Sequence, residues 1–177
     1  EAKRPRTRLM QIVITDSSGL IDLKKGSLFR AMLELPFEFV IPDLLFEDEL
    51  LSLTDEEKQF LLYGGLKIQT LSGAQVALAY QYRKEFTRLS LHDNFALVLA
   101  EDTEACVLLT GDENLKNLAR QKDVRSHGML WLLDLIYEHE TAPLRVLIDA
   151  INKYIEDPFV WLPDDELQTR LERYRNI

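Results

Sequence analysis

One cysteine, Cys106, occurs in 177 residues. No internal disulfide can form, and no zinc site can be built on thiolates. Glycine and proline are sparse, 7 and 6 residues, and no Gly/Ser linker, biased tract or internal repeat divides the chain, so one domain is expected. No apolar run approaches the ~18 residues that a membrane-spanning helix needs. Nothing resembles a secretory signal, and with a lone thiol this leads to the expectation of a reducing cytoplasm and no membrane partner. The phosphate loops Gly-x-x-x-x-Gly-Lys and Gly-x-Gly-x-x-Gly are missing, as is a Gly-x-Ser-x-Gly elbow, so nucleotide-triphosphate, dinucleotide and serine-hydrolase folds lose support. His92, His127 and His139 show no ligand spacing and read as surface or internally satisfied histidines.

What is present is a chain able to bury a core: 46% of residues are apolar and 29% charged. The net charge of -9, from 21 bases and 30 acids, argues against a surface that clings to nucleic acid everywhere. The first residues run the other way, with Lys3, Arg4, Arg6 and Arg8 against Glu1. The chain opens on Glu and Met10 is a candidate start, so residues 1–9 read as a tag or flanking segment. A basic arm for nucleic acid is the competing reading. Residues 10–177 then form the domain, with a helical C-terminal extension.

Periodicity gives the element order. Leu9 to Thr15 reads as a strand buried on both faces, followed by Asp16-Ser17-Ser18-Gly19 and a helix begun by Leu20, Ile21 and Leu23. Phe39 to Ile41 is a second apolar run, and Pro42 suits the start of a helix from Asp43 to Leu53. Thr54-Asp55-Glu56-Glu57 and Ser72-Gly73-Ala74-Gln75 fit capping boxes, each opening a helix, with a strand over Leu66 to Leu71 between them. A helix from Leu91 to Glu101 precedes a buried strand, Cys106 to Thr110. A helix from Asp112 to Gln121, a strand over Asp123 to Ser126 and a helix from Leu130 to His139 follow. Helices over Pro143 to Tyr154 and beyond Pro163 complete the chain; the last one puts acids first and arginines last, matching the helix dipole. Strands alternating with helices predict an α/β fold with a parallel sheet and helices on both faces.

Three aspartates stand out by position. Asp16 follows the first strand and Asp112 follows the Cys106 to Thr110 strand, and strand C-termini form the crevice of an open parallel sheet. Asp93 aligns with Ala96, Leu97 and Ala100 on the apolar side of its helix, while Asn94 and Glu101 read as the wet side. A carboxylate on an apolar face is costly unless paired or metal-bound; the alternative is an Asp held by the helix N-terminus. Carboxylates without cysteines or spaced histidines suit a hard cation, Mg²⁺ or Mn²⁺, and phosphoryl chemistry.

Three segments carry a resemblance: Val13-Ile14-Thr15-Asp16-Ser17-Ser18-x-Leu20-Ile21, then Leu91-His92-Asp93-x-Phe95-Ala96-Leu97-x-Leu99-Ala100, then Val107-Leu108-Leu109-Thr110-Gly111-Asp112-Glu113-x-Leu115-x-x-x-Ala119. In this order, and with Val124 to Leu133 after them, they resemble the PIN-domain family over Leu9 to Ile136. The resemblance implies a single PIN-like domain and a Mg²⁺- or Mn²⁺-dependent ribonuclease. It gives Asp16, Asp93 and Asp112 the places of metal-binding, catalytic acids and sets Thr110 beside the site. It also implies the toxin of a toxin–antitoxin pair, with RNA as substrate, an antitoxin protein as partner and a second copy in a homodimer.

The family's fourth acid, a Glu on the helix after the second strand, matches less simply. An ungapped count from Pro42 lands on Asp48, whereas pairing Glu with Leu gives Glu49 and one extra residue. Neighbours on a helix point about 100° apart, so only one can face the site, and the ungapped count favours Asp48. Two rival functions remain: a PIN-like scaffold that binds a protein without cutting, and a phosphoacceptor receiver domain, which lacks support because Asp16-Ser17-Ser18 has no paired acids. Lys24, Lys25, Lys116 and Arg120 can meet phosphates or serve as solvated charges. Phe159-Val160-Trp161-Leu162 either packs back on the domain or contacts a dimer or antitoxin partner.

Overall fold

The computed structural model describes residues 10–176; the basic segment read as a tag or flanking sequence lies outside them. The first strand, β1 (Gln11–Thr15), buries Val13, Ile14 and Thr15. It is the middle of a five-stranded sheet in the order β3-β2-β1-β4-β5, where β2 is Phe37–Pro42, β3 Lys67–Gln69, β4 Val107–Leu109 and β5 Ser126–His127. Every pairing is parallel, with Gln11 opposite Phe37, Thr15 opposite Leu109, Val40 opposite Lys67 and Leu108 opposite Ser126. Parallel neighbours require crossovers, and helices supply them: α1 (Ser17–Lys25) and α2 (Phe29–Leu33) between β1 and β2, then α3 (Asp43–Asp48) and α4 (Asp55–Tyr63) before β3. α5 (Gly73–Glu85) and α6 (Leu91–Glu101) lead to β4, α7 (Glu113–Gln121) to β5, and α8 (Met129–Glu138), α9 (Leu144–Glu156) and α10 (Asp164–Arg175) follow. This is the expected α/β architecture. No helix among the described residues is long and apolar enough to cross a membrane.

Both expected capping boxes form, at Thr54 with Glu57 and at Ser72 with Gln75. Several boundaries differ from the sequence reading for identifiable reasons. The helix expected over Asp43 to Leu53 stops at Asp48. Its last turn carries Glu47 and Asp48 with no base, which opposes the helix dipole, and the buried Leu50 and Leu53 turn the chain inward. The strand expected over Asp123 to Ser126 sits at Ser126–His127, because Asp123 takes a left-handed turn conformation (φ 56°). α2 is a single uncapped turn that no periodic window picks out. β3 is shorter than Leu66 to Leu71, and all three of its residues are exposed.

α6 corrects a face assignment. Asn94 through Ala100 are buried without interruption, so the helix has no wet side at Asn94. It packs on α5 and also meets β1, β2 and β4, and a helix covered all round must be apolar all round. The Asn94 side-chain nitrogen donates to the Ser90 carbonyl oxygen at 2.9 Å, and its oxygen has no partner. Gly19 lets α1 lie close on the sheet: a Cβ there would stand 2.9 Å from Thr15 Oγ1 and 3.5 Å from Leu109. At the C-terminus, Tyr154 of α9 donates to the Asp22 carbonyl oxygen at 2.7 Å. Arg170 of α10 makes a forked pair with Asp134 of α8, at 2.6 and 2.9 Å, and reaches Glu166 at 2.8 Å.

Candidate functional site

The strand order reverses direction between β1 and β4: the chain leaves β1 toward β2 and arrives at β4 from the other side of the sheet. Strand C-termini at such a reversal open a crevice between diverging connections. Asp16 ends β1 at that point and Asp112 follows β4 after Thr110 and Gly111, so topology brings together two acids almost a hundred positions apart.

Each acid begins a helix. Asp16 is the N-cap of α1: Oδ1 accepts from the Gly19 amide at 2.9 Å and from Ser18 Oγ at 2.7 Å. Its Oδ2 accepts a hydrogen bond from Thr110 Oγ1, which itself accepts from the Asp112 amide at 3.0 Å. Thr110 thus ties the two acids into one unit, giving the residue placed beside the site a positioning contact. Asp112 caps α7 through the Leu115 amide at 2.9 Å. Asp93 and Ser90 form a reciprocal capping box at the start of α6, at 2.7 and 3.0 Å, so the helix-terminus alternative describes its hydrogen bonds correctly.

Those bonds do not exhaust Asp93. Burial raises its carboxyl above the usual range against the lowering effect of Ser90, and the charges of Asp112 and Glu49 push it further up. Asp16 is pushed up to about 6, mainly by burial, which outweighs the hydrogen bonds of Thr110, Gly19 and Ser18; the Asp93 charge adds to the rise. Charge thus links the acids, Asp93 acting on Asp16, and Asp112 and Glu49 acting on Asp93.

Of the two candidates for a fourth acid, Asp48 and Glu49, it is Glu49 that has contacts on the side of Asp16 and Asp93. Ser17 Oγ donates to Glu49 Oε2, and Glu49 is half as exposed as Asp48, 28% against 56% of the side chain. α3 ends at Asp48, and Glu49 is its C-cap. His92, read from sequence as a surface or satisfied histidine, stands between the two, Nδ1 3.2 Å from Glu49 Oε1 and Nε2 3.2 Å from Asp48 Oδ2. Its place beside Asp93 in the first turn of α6 was the signal available for it. Ser17 and Ser18 are the other site residues without an assigned role; two hydroxyls after a strand-terminal Asp were their signal.

An all-oxygen, all-carboxylate donor set fits a hard divalent cation by its chemistry. Among the described residues, no group of three or more His, Cys, Asp or Glu is already arranged to hold a metal ion. Asp16, Asp93 and Asp112 are each drawn to a helix N-terminus instead, so holding an ion would exchange some capping bonds for coordination. The fit is one of charge and donor type.

The raised acid makes a pH prediction with a definite sign. A carboxyl whose folded pKa lies above its unfolded value stabilises the fold fully below the unfolded value, and that contribution is lost as pH rises through the folded one. For Asp16 the window runs from 3.8 to about 6, equivalent to about 3 kcal/mol in all. Without metal, wild type should lose stability relative to Asp16→Asn as pH rises through this window. Urea melts of both proteins across the range check this; parallel curves would mean that Asp16 ionises without cost.

A family model described as PIN domain matches residues 12–176. Among solved structures, the fold is similar to a PilT N-terminus domain protein from the hyperthermophilic archaeon Sulfolobus solfataricus. The two share 16% identity over 72% of this chain and 92% of that one, with a TM-score of 0.49. No curated protein matches.

Proposed function

The chain belongs to the PIN-domain family, and from that premise we propose that it is a Mg²⁺- or Mn²⁺-dependent ribonuclease. PIN domains are generally nucleases that use divalent metal ions. The observation that carries the reading is the acid quartet, in which burial and neighbouring charges raise Asp16 and Asp93 together. A surface network would scatter such acids among bases; here they converge where the sheet order reverses. Acids with raised pKa values clustered in a crevice mark sites of chemistry.

Asp16, Asp93 and Asp112 would hold the ion, with Glu49 as the fourth carboxylate. When bound, the ion supplies Lewis acidity at a phosphoryl oxygen and lowers the pKa of a water. Thr110 fixes Asp16, and Ser17 fixes Glu49, so two carboxylates keep one orientation when substrate arrives. Hydrolysis joins the water oxygen to phosphorus and breaks the bond to the 3′ oxygen. The products are a 5′-phosphate and a 3′-hydroxyl; the water proton passes to a carboxylate of the quartet, and the departing 3′ oxygen takes up a proton from solvent. With Glu49 taken as the fourth acid, on the strength of its contact with Ser17, the donor set is complete, which favours cleavage over a scaffold that only binds.

The test has two readouts. Purified protein should cut labelled RNA with Mn²⁺ and stop with EDTA. Mn²⁺ at a hundred times its dissociation constant should also stabilise the fold by ~2.7 kcal/mol, a rise of roughly 5–10 °C in melting temperature. Asp112→Asn should shrink that rise, whereas Na⁺ at matched ionic strength should act on both proteins alike. Equal Mn²⁺ stabilisation of wild type and Asp112→Asn, with EDTA-resistant activity or none, would overturn the proposal. The toxin reading rests on the resemblance alone. It expects induced wild type, but not Asp112→Asn, to arrest growth, and an antitoxin to relieve the arrest.

A further inference from the structure

Two large aromatic side chains stand in solvent beside the acid quartet. Phe159 and Trp161 lie in the extended loop between α9 and α10 and are 78% and 89% exposed. The chain alternates there: Val160 and Leu162 pack against the core, so Phe159 and Trp161 face outward. The sequence alternative in which this run packs back on the domain therefore holds for only half of it. A monomer gains nothing by presenting two such rings unless they meet something.

They are not isolated surface residues. Both line a groove of about 670 Å³ whose other wall includes Ser18 and Asp112, and Ser18 is the residue that donates to Asp16. One groove thus takes in Asp112, Ser18 and both aromatics. Lys25 and Lys116 line it too. Lys116 lies across Gly128, where a Cβ would stand 3.1 Å from Nζ. Both lysines are held in half-exposed ion pairs, Lys25 with Asp157 at 3.2 Å and Lys116 with Glu113 at 3.6 Å. Such pairs are worth little, and a phosphate oxygen can replace the carboxylate at small cost.

The loop is fixed at both ends. Asp157 accepts from the Phe159 amide at 2.8 Å while paired with Lys25, and α10 is anchored to α8 by Arg170. The rings are presented by an ordered frame.

We propose that Phe159 and Trp161 form a base-stacking subsite that holds unpaired nucleotides of an RNA strand whose backbone passes Lys25 and Lys116 toward the acid quartet. This deepens the nuclease reading and rests on it. Flat aromatic faces suit nucleobases irrespective of sequence, and spaced cations suit the phosphates between them. A duplex keeps its bases stacked on one another and offers the rings nothing. The subsite therefore selects single-stranded substrate.

Fluorescence anisotropy of labelled oligoadenylate tests this with wild-type protein at low salt, with a chelator present so that no metal-dependent cleavage intervenes. Trp161→Ala should weaken binding by about tenfold or more, and Phe159→Ala by several-fold. Trp161→Phe should restore most of the affinity. An abasic strand of equal length should bind wild type no better than oligoadenylate binds Trp161→Ala. Melting temperatures should stay unchanged, because both rings are exposed. Equal oligoadenylate binding by wild type and Trp161→Ala overturns the proposal, as does equal binding of the abasic strand by wild type. So does a fall in sedimentation coefficient on Trp161→Ala with RNA binding intact, which would make the patch an interface between copies. Cleavage with Mn²⁺ separates the two readings. If Asp112→Asn is inactive while Trp161→Ala cuts with unchanged KM, stacking fails and the nuclease stands. If wild type does not cut while Trp161→Ala binds weakly, the nuclease reading fails and stacking stands.

Discussion

Asp112→Asn is expected to lower the rate of RNA cleavage by at least about a hundredfold while leaving the fold intact. The substitution removes a charge but almost no volume. Its oxygen can still accept from the Leu115 amide, so the start of α7 keeps its cap. What is lost is a charged donor in a cluster where charge is the function, and preorganised electrostatic groups of this kind contribute factors of about 10²–10³ each. Asp16→Asn and Asp93→Asn should have effects of the same order. The triple variant should be about as inactive as any single one, because the acids act as a unit. Single-turnover rates with one labelled RNA check this; if the three effects multiplied, the acids would be acting independently. Glu49→Gln should fall with the aspartates, and Asp48→Asn should lose at most a few-fold, since Asp48 reaches the site only through His92. Equal, mild effects at positions 48 and 49 would remove the fourth acid.

The second large effect concerns stability. Arg170 is almost fully buried and holds Asp134 through two nitrogens. Arg170→Met should destabilise the protein by about 3 kcal/mol, because it takes the forked partner from Asp134 and leaves it only Arg173, at 3.9 Å. For a domain of this size that is a drop of roughly 6–12 °C in melting temperature. Arg170→Met combined with Asp134→Leu should recover much of the loss, since a packed apolar pair replaces a buried ion pair at little cost. Chemical melts of the two single variants and the double variant complete the cycle. Additive losses would show that Arg170 and Asp134 do not act on each other. The helix it anchors follows directly on the loop that carries Trp161, so the single variant should also raise KM for single-stranded RNA more than it changes kcat.

The strand and helix order was legible because its signals are local. Ile12-Val13-Ile14 can only be a strand buried on two faces, and Thr54 and Ser72 announce their helices through hydrogen bonds that span three residues. Asp16 and Asp112 were equally readable, since each sits where a parallel strand ends. Asn94 was not, because helical period assigns faces on the assumption that one of them is wet, and α6 has neighbours on every side. Between Asp48 and Glu49 the sequence offered both and could not choose, because α3 ends between them and angular spacing no longer applies past a helix end. The outward turn of Phe159 and Trp161 depends on which side chains of the loop the core has room for, which no window of sequence contains.

The burial of α6 has a kinetic consequence for the acids. A helix enclosed by the sheet and by α5 cannot be exposed by a local fluctuation; freeing it requires the whole domain to open. Asp93 rides on its first turn, and the strands it touches carry Asp16 and lead into Asp112. The acids should therefore persist for as long as the native state does, with a lifetime set by global unfolding. The aromatic wall hangs instead on α9 and α10, which pack on each other and touch the rest at fewer places. The two sides of the groove are thus lost on different terms: Asp93 goes only with the whole domain, whereas the rings go with α9 and α10.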